Sequence, residues 1–541
     1  MDAERIVRLQ EALESERSSV EAIWTDVARY VVPELDRFFG GHETRQRNRT
    51  EQVLDTMPSV ALDRCAAILT ALATPHEQEY HSLRTSDDSL NNKVRVQRYL
   101  AEVNAVIRRG RYGGKANFRR PSSVAYRSIT AFGPGAVYLH DGGNEGPKYA
   151  AVQINNLYLA ADPFGVINRA HRRLMWTPQD IVRQFPAERV PERVRKAAER
   201  DSQDRHEIIH AIWPNDKIEP GRQDMAGMPW HSYYLHRESK TILEEGGYQT
   251  WPLAVFRYQV YEPDPYGWSP AMKALGDIKM LQAYAKTNIR QAHFALDPVL
   301  LTKADGIPQI NWRPGGMIPG GLDYAGNPMV KPAMEGANFA PAIDVTDRMR
   351  QTINEHFLVS MIQLLVDSPQ MTATEVLQNA REQGILFAPT ANLLYGDEAL
   401  MGMIERELDI AGRNGMLPDP PPELVEAAGD GVSVDVEFDS PMTRNMSADV
   451  AVGIARTYEF ANGVAQYDPG VLDILDHEEA LRHMAKFQGA PPTVVRPRDE
   501  VARMQAERAQ QQQQQQALEA LPQIAGAAKD LSTAGMNAQS G

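Results

Sequence analysis

The chain contains 541 residues, 43% of them apolar and 24% charged, with a formal net charge of −14 at pH 7. This length predicts several domains or one elongated subunit of several parts, and the composition is typical of a soluble globular chain. The acidic balance argues against a protein whose whole surface binds nucleic acid, because phosphate binding depends on Lys and Arg.

The sequence also limits the location of the protein and the kinds of site it can hold. Its single cysteine, Cys65, excludes an internal disulfide framework and a multi-cysteine zinc or redox site. The longest apolar runs fall short of the ~20 residues that a membrane span needs, and the N-terminus lacks the pattern of a secretory signal. We therefore expect synthesis and assembly in a reducing cytoplasm, without a membrane segment.

The N-terminal part of the chain has helical patterns. Apolar residues at helical spacing between residues 4 and 35 predict a pair of amphipathic helices that ends at Val32-Pro33. A strongly apolar core helix is predicted from Pro58 to Ala73, and Pro75 stops it.

A basic segment extends from Arg108 to Arg120 and surrounds Tyr112 and Phe118. Such a segment could bind nucleic acid, but a solvated face or an intersubunit salt-bridge surface is the more usual outcome, and we favour it. The Gly-Gly-Lys core of the segment lacks the first Gly of the Walker pattern and a Ser or Thr after the Lys. It therefore predicts no nucleotide site.

From about Gly146 to Tyr261, short alternating runs broken by Gly, Pro and Asn predict a β-rich domain. One short helix within it, from Pro178 to Phe185, is predicted to begin with Thr177 as its cap and a proline at its first position.

The segment from His206 to His210, HEIIH, matches the H-E-x-x-H pattern of zinc peptidases. That pattern chelates a metal only on a helix, where residues four apart share a face. Here the flanking residues are β-branched and end at Pro214, which favours a strand with the two histidines about 13 Å apart. Trp213 also stands where the extended pattern requires Gly. We therefore expect no zinc and no hydrolytic activity.

Two long helices are predicted on either side of a turn-rich insertion. Ser269-Pro270 begins a helix that runs to about Ala295, and a second helix extends from Ile343 to Val366. Gly, Pro and short strands fill the chain from Val299 to Pro341. A hairpin of two helices is too narrow to bury its own apolar surface, so it must pack against copies of itself.

Thr372 and Glu375 form a capping-box pattern that predicts the start of a long helix. Its apolar period is interrupted at Pro389, which predicts a kink, and ends at Gly415. At about 1.5 Å per residue this helix would span roughly 60 Å, more than a small domain needs.

The C-terminal part begins with a proline run at residues 418–422 and an alternating strand that we expect to close back on the β-rich region. A helical stretch from Ser447 to Gln488 follows, with a break at residues 467–470. The glutamine run Gln510–Gln516 lies in a helix-competent segment, for which we expect helix to about Leu521 and disorder beyond.

Several of these stretches resemble the head-to-tail connector, or portal, proteins of short-tailed bacteriophages. The resemblance rests on MTATEV at the start of the long helix, on its Gly-x-x-x-x-Pro break and on NGMLPDPPPEL at its end. PDPYGWSP and ALGDIKMLQ, around the start of the first stem helix, resemble the family as well. The order of the pieces fits the family from about residue 4 to residue 490.

The resemblance implies an α+β portal-type subunit that forms a ring of twelve around a central channel. It divides the chain into a wing (1–265), a first stem helix (266–297), a clip (298–341), a second stem helix (342–366), a tunnel loop (367–371), a long kinked wing helix with a closing strand (372–440), a crown (441–490), and a barrel helix or disordered tail (491–541).

The implied function is a ring at one capsid vertex of the virion, through which DNA is packaged and later ejected. The implied partners are copies of the chain, the major capsid protein and scaffold, the terminase packaging motor, the tail adaptor, and double-stranded DNA without sequence specificity. The resemblance assigns the channel lining to Asp344, Asp347, Glu355, Asp367, Ser368, Pro369 and Gln370. Trp312 and Arg313 are expected at the clip surface that meets the motor and the adaptor.

Two other classes of protein stay open from the sequence. A metallopeptidase would need the His206 segment to be helical, and a non-viral structural ring would share the acidic sequence without DNA traffic. In the portal interpretation we expect no catalytic residue, metal or cofactor, so the energy for packaging comes from a separate ATPase.

Overall fold

The computed structural model shows a mixed helix and sheet protein, as expected. It describes residues 2–35, 53–91, 93–222, 224–261, 264–296, 300–302, 322, 325–332, 340–358, 388–429, 431–446, 448–488, 494–496, 498 and 500–511. The chain divides into two compact units. The first contains Met1–Pro75, Arg111–Thr372 and Leu386–Ile410, and the second contains His76–Gly110, Ala373–Ile385 and Ala411–Gly541. Over the described ranges, none of the helices combines the length and apolar character that crossing a bilayer requires.

The helices of the described residues are, in chain order, α1 (Ala3–Tyr30), α2 (Met57–Ala73), α3 (Asp88–Asn91), α4 (Val94–Tyr112), α5 (Arg119–Phe132), α6 (Pro178–Gln184), α7 (Glu192–Glu199), α8 (Pro270–Lys273), α9 (Leu275–Leu296), α10 (Ala340–His356), α11 (388–395), α12 (Leu400–Arg413), α13 (Pro422–Gly429), α14 (Pro441–Met446), α15 (Ala448–Ala465), α16 (His477–Phe487) and α17 (500–511). The strands are β1 (His81–Thr85), β2 (Pro134–Asp141), β3 (Pro147–Val152), β4 (Leu157–Ala161), β5 (Ile167–Trp176), β6 (His206–Pro214), β7 (Trp230–His236), β8 (Thr241–Tyr248), β9 (Leu253–Arg257), β10 (Leu300–Thr302), β11 (Val330–Pro332) and β12 (Val434–Phe438).

Two antiparallel sheets form the β-rich part of the first unit. The larger sheet has the strand order β4-β5-β6-β7-β8, and the smaller sheet has the order β3-β2-β9. In the larger sheet β6 and β7 pair in regular register, with Ile208 opposite His236. The β-rich domain predicted between Gly146 and Tyr261 is therefore confirmed, and β2 extends it toward the N-terminus.

Alternation along β6 places neighbouring residues on opposite faces of the larger sheet. On one face, Ile209 belongs to a buried apolar cluster with Ile6 of α1. On the other face, Ile208 belongs to a second buried cluster with Ile181 of α6 and Val194 of α7. The sheet is therefore covered on both sides, and the burial of these apolar residues stabilises the unit.

Polar and aromatic side chains connect the two sheets. The hydroxyl groups of Tyr138 in β2 and Tyr248 in β8 lie 3.1 Å apart, and the Arg172 guanidinium lies 3.8 Å from the centre of the Tyr138 ring. Nη1 of Arg172 lies 3.2 Å from Nδ1 of His210, whose Nε2 lies 3.0 Å from the hydroxyl of Ser232. Aromatic faces and hydrogen bonds thus stabilise a largely buried cation between the sheets.

The second unit contains a two-stranded sheet and C-terminal helices. β1 and β12 pair antiparallel, with His81 opposite Phe438, and the side chain of Asn104 in α4 donates to the carbonyl of His81 over 3.2 Å. Between α15 and α16, the hydroxyl of Tyr458 lies 2.8 Å from Nδ1 of His477. The strand predicted after the proline run is therefore present as β12. Its expected pairing with the β-rich region is wrong, since over the described residues β12 pairs with β1 through all five of its residues.

Two predicted helices differ in extent from the structure. The N-terminal pattern forms one helix, α1, rather than a pair, because no Gly or Pro interrupts it before Val31. The second stem helix ends at His356 rather than at Val366, and Leu358 has a φ of 56°, in the left-handed region that commonly follows a helix end. Residues 359–366 lie outside the described residues.

The long helix has a break that was not predicted from the sequence, and the predicted kink at Pro389 stays a prediction because residues 359–387 lie outside the described residues. Pro389 lies within the helical residues of α11, and the chain leaves the helical conformation at residues 396–399 before α12 begins. The predicted start at Thr372 lies outside the described residues. The caps of two other helices are confirmed, since the hydroxyl of Thr177 accepts from the N–H of Asp180 and the hydroxyl of Ser269 accepts from the N–H of Met272.

Candidate functional site

The two predicted stem helices, α9 and α10, pack against each other. Nδ2 of Asn288 donates to Oγ1 of Thr346 over 3.5 Å, and Nε2 of His356 lies 3.3 Å from a carboxylate oxygen of Asp277. These contacts join the helices in opposite chain order, so α9 and α10 run antiparallel. Ile278 and Leu281 of α9 are fully buried, as are Ile353 of α10 and Phe357 just after it.

Asp55, in the segment before α2, joins both stem helices. Arg350 of α10 donates to its carboxylate from Nε and Nη2, over 3.1 and 2.9 Å. Gln282 of α9 accepts from the N–H groups of Leu54 and Asp55, over 2.9 and 3.1 Å, and donates to the Asp55 carbonyl over 2.6 Å. Because the Asp55 side chain is buried, its charge-assisted bond to Arg350 holds α10 against the segment that precedes α2. The sequence offered no signal for this residue, which belongs to an irregular segment.

The three predicted channel acids of α10 are exposed, but they are not equivalent. Asp344 and Glu355 are eleven residues apart and therefore share one face of the helix, away from buried Ile353. Asp347 accepts from Nη1 of Arg350 over 2.9 Å, so a neighbouring cation partly balances its charge. The other predicted site residues lie outside the described residues: Asp367, Ser368, Pro369, Gln370, Trp312 and Arg313.

The HEIIH segment forms β6, which confirms the predicted strand. Its two histidines contact different partners, since Nδ1 of His206 lies 3.1 Å from Nε2 of His236, whereas His210 contacts Ser232. Burial, and then the nearby Arg172 guanidinium, hold the pKa of His210 well below its ordinary value, so its ring is neutral near pH 7. The two histidines of the pattern therefore contact different residues and do not bind one metal ion together.

Glu207, the glutamate of the same pattern, faces the opposite side of the sheet from the histidines. Its carboxylate accepts from Arg237 over 2.7 Å, and Arg237 also donates to Glu14 of α1 over 2.8 and 3.0 Å. A peptidase of this class needs that glutamate beside the metal as its general base. The metallopeptidase alternative therefore lacks both the helix and the orientation it requires.

Basic residues of the segment from Arg108 to Arg120 pair with acids of the same chain. Arg108 lies 3.3 Å from a carboxylate oxygen of Glu79, and Lys115 lies 2.6 Å from one of Glu145. These ion pairs agree with the favoured interpretation of a solvated, salt-bridged face.

The most buried ion pair of the described residues attaches α12 to the β-rich region. Nε of Arg111 donates to one carboxylate oxygen of Glu407 over 2.9 Å, and Nη2 contacts the other oxygen. The hydroxyl of Tyr149 in β3 donates to the same carboxylate. The Arg111 and Glu407 side chains are only 0% and 1% exposed. The one signal in the sequence is that Glu407 lies on the apolar stripe of its helix, between Ile404 and Ile410.

The break between α11 and α12 is a second attachment point. The carbonyl of Glu398 accepts from the N–H of Val255 in β9 over 2.6 Å. The Glu398 carboxylate accepts from the N–H of Ile167 in β5 and forms an ion pair with Arg257. Sequence reasoning missed this residue because contacts between distant segments leave no trace in the local helical period.

Known proteins match this chain along almost its whole length. A family described as bacteriophage head to tail connecting protein matches residues 3–495. The portal protein of Salmonella phage epsilon15 is 27% identical over 542 residues, covering 98% of this chain and 95% of that protein. The probable portal protein of Bordetella phage BPP-1 is 27% identical over 513 residues, covering 92% and 90% of the two chains.

Solved structures with weaker similarity come from gene transfer agent particles. A chain in the virion of the native gene transfer agent particle has a TM-score of 0.36 and 12% identity, with 84% of this chain and 93% of that chain covered. A chain in the neck of the native particle, computed with C12 symmetry, has a TM-score of 0.35 and 12% identity, with 79% and 90% covered. On the strength of the family match over residues 3–495, the chain belongs to the bacteriophage head to tail connecting proteins.

Proposed function

We propose that twelve copies of this chain form a portal ring at one capsid vertex, through which genomic DNA enters the head and later leaves it. The observation that carries the proposal is the family match over residues 3–495. The ring assembles in the host cytoplasm with the major capsid protein and scaffold, and it binds the terminase motor before filling and the tail adaptor afterwards. The chain acts as a structural conduit, and a separate ATPase supplies the energy.

Exposed apolar side chains support self-association. In the second unit, Phe460 of α15 is 76% exposed and Tyr467, just after it, is 91% exposed. In the first unit, Met280, Tyr284 and Ile289 of α9 are all exposed. Exposed apolar side chains such as these supply surface that a subunit interface would bury. A contact between two different faces of the same subunit closes into a ring when the rotation between neighbours is right.

The exposed acids of α10 are proposed to face the channel, together with the tunnel-loop residues Asp367, Ser368, Pro369 and Gln370. Of the three acids, Asp344 and Glu355 contribute most to the repulsion of DNA, because Arg350 partly offsets the charge of Asp347. Repeated around a ring, these carboxylates repel phosphates, so DNA passes without being held. Trp312 and Arg313 are proposed as the clip surface for motor and adaptor, since an aromatic residue beside an Arg is a composition enriched at binding hot spots.

Imaging of the purified chain by negative stain tests the ring. We expect closed rings with a central hole, and a chain that stays a compact monomer at micromolar concentration would contradict the portal function. The rings should show no ATP turnover. Trp312→Ala rings should assemble and bind the motor and adaptor more weakly.

A packaging assay tests the channel. Asp344→Lys/Glu355→Lys rings place many cations around the bore, and six to ten phosphate contacts already change DNA affinity by about 10³ to 10⁵ between 50 and 200 mM salt. We expect DNA translocation to be slow at low salt and to recover as salt is added. Glu199→Lys/Glu426→Lys rings make the same charge change at exposed positions of α7 and α13, and they should package normally. Fast, salt-independent packaging by the Asp344→Lys/Glu355→Lys rings would show that these acids do not face the channel.

A further inference from the structure

Three potential metal ligands converge at one end of the larger sheet. Because Ile208 lies opposite His236 in the β6–β7 register, continuing that register places His206 opposite Glu238. Directly opposed residues of antiparallel strands have Cβ atoms about 5 Å apart, and residues two apart share a face. The ligand atoms of His206, His236 and Glu238 all lie within 4.8 Å of one another. The hairpin register therefore builds this cluster.

The geometry of the two imidazoles suits a transition metal. Nδ1 of His206 lies 3.1 Å from Nε2 of His236. Two nitrogens bound at 2.0–2.1 Å to one tetrahedral zinc lie about 3.3 Å apart. We propose that His206, His236 and Glu238 form a zinc site that joins β6 to the end of β7, with a water molecule as the fourth ligand. The site departs from the expectation, based on the sequence, that the chain holds no metal.

Neighbouring groups prepare the ligands for a cation. Nδ1 of His236 accepts from the N–H of Ser239 over 3.2 Å and lies 2.7 Å from the Ser239 hydroxyl, so Ser239 fixes the orientation of the ring and directs Nε2 toward His206. Zinc binding at Nε2 requires the tautomer with its proton on Nδ1, and in that tautomer the hydroxyl oxygen of Ser239 accepts the proton, as the partners of ligating histidines usually do.

To bind zinc, the Glu238 carboxylate must give up its ion pair with Arg193. Its carboxylate forms an ion pair with Arg193 of α7, and the two side chains are 56% and 78% exposed. Exposed ion pairs contribute little to stability, so a divalent cation readily competes with Arg193. Glu207 lies on the other face of β6, bound to Arg237, and His210 is fully buried with Ser232. Neither of these two side chains reaches the cluster as a general base, and we assign the site a structural role.

Zinc binding to the purified full-length chain tests the site. We expect about one zinc per chain by metal analysis after dialysis, and a rise in thermal midpoint on adding zinc, because a ligand of the native state stabilises it. Magnesium should give neither effect, since it prefers oxygen ligands. The matched control is His231→Ala, which removes a partly exposed histidine of β7 outside the cluster and should leave zinc binding unchanged.

Three variants separate metal binding from a purely structural role of the histidines. His236→Ala should abolish the bound zinc, and Glu238→Gln, an exposed change that leaves both imidazoles in place, should weaken zinc affinity by about tenfold or more. Arg193→Gln removes the ion pair that competes for Glu238 and should strengthen zinc binding. If the cluster had a purely structural role, this variant would not change zinc binding. Absence of bound zinc in the wild-type chain, or equal zinc affinity in wild type, His236→Ala and Glu238→Gln, would overturn the proposal.

Discussion

The buried pair of Arg111 and Glu407 gives the sharpest prediction about stability. Replacing Glu407 with Leu leaves the Arg111 guanidinium without its carboxylate in a site that is 0% exposed. Removing one partner of a buried ion pair typically costs about 3–5 kcal/mol, because the remaining charge has lost both water and its counterion. Arg111→Met should cost a similar amount, since it leaves the carboxylate with Tyr149 alone among the partners described above.

The double variant Arg111→Met/Glu407→Leu should behave differently from the sum of the single variants. Exchanging a whole buried pair for apolar residues of similar volume is often neutral or stabilising by about 1–4 kcal/mol. We therefore expect the double variant to recover most of the loss, with a coupling free energy of several kcal/mol between the two positions. Tyr149→Phe, which removes one hydrogen bond to Glu407, should have a smaller effect of about 1–3 kcal/mol.

Thermal unfolding at one fixed protein concentration is the assay, because subunit assembly makes the midpoint depend on concentration. Each single variant should lower the midpoint by about 5 °C or more. Lys115→Met is the matched control, since it breaks the exposed pair with Glu145 close to the same segment and should leave the midpoint nearly unchanged. If the two single losses simply add in the double variant, the buried pair does not hold α12 in place as argued.

The remaining predictions concern a cap, a buried histidine and a helical glycine. Thr177→Ala should destabilise the first unit by about 1 kcal/mol, because it removes the cap of α6; Thr177→Ser is the control in urea unfolding. Burial lowers the pKa of His171 to about 4, below the ~6.5 of an unfolded chain. Its contribution to stability is therefore present above pH 6.5 and falls as the pH drops toward 4. His171→Gln should flatten the curve of stability against pH between these two values. Gly276→Ala, at a site in α9 with no atom within 4 Å of the added Cβ, should stabilise the fold by up to about 1 kcal/mol by the same assay.

Local patterns in the sequence were sufficient for most elements and for the family. The cap at Thr177, the cap at Ser269, which begins the short helix α8 just before α9, and the strand at HEIIH all depend on residues within one or two turns of chain, which is the range that periodicity and capping rules describe. The resemblance pointed to the connector family, and the family match confirms it.

Contacts between distant segments could not be predicted in the same way. Asp55 meets Arg350 across 295 residues of chain, and Arg111 meets Glu407 across 296. His206 pairs with His236 rather than with His210, because strand register decides which side chains meet. A sequence motif specifies residue types and spacing, whereas these sites depend on how separate elements align. The placement of the tunnel loop and of the clip residues stays a prediction.

The break between α11 and α12 is a feature that the local rules did not predict. The apolar period continues from Leu394 to Met401, yet the chain turns at residues 396–399, where Glu398 binds β5 and β9. This turn brings the carbonyl oxygen of Asp397 to within 2.0 Å of the position that a Cβ on Gly402 would occupy. A glycine is therefore required at position 402, about one helical turn beyond the break. The contacts of Glu398 with β5 and β9 fix the conformation of residues 396–399. Gly402→Ala should force the backbone of residues 396–399 to move and lower the thermal midpoint, whereas Gly276→Ala raises it. A Gly402→Ala chain as stable as wild type would show that the turn adapts without strain.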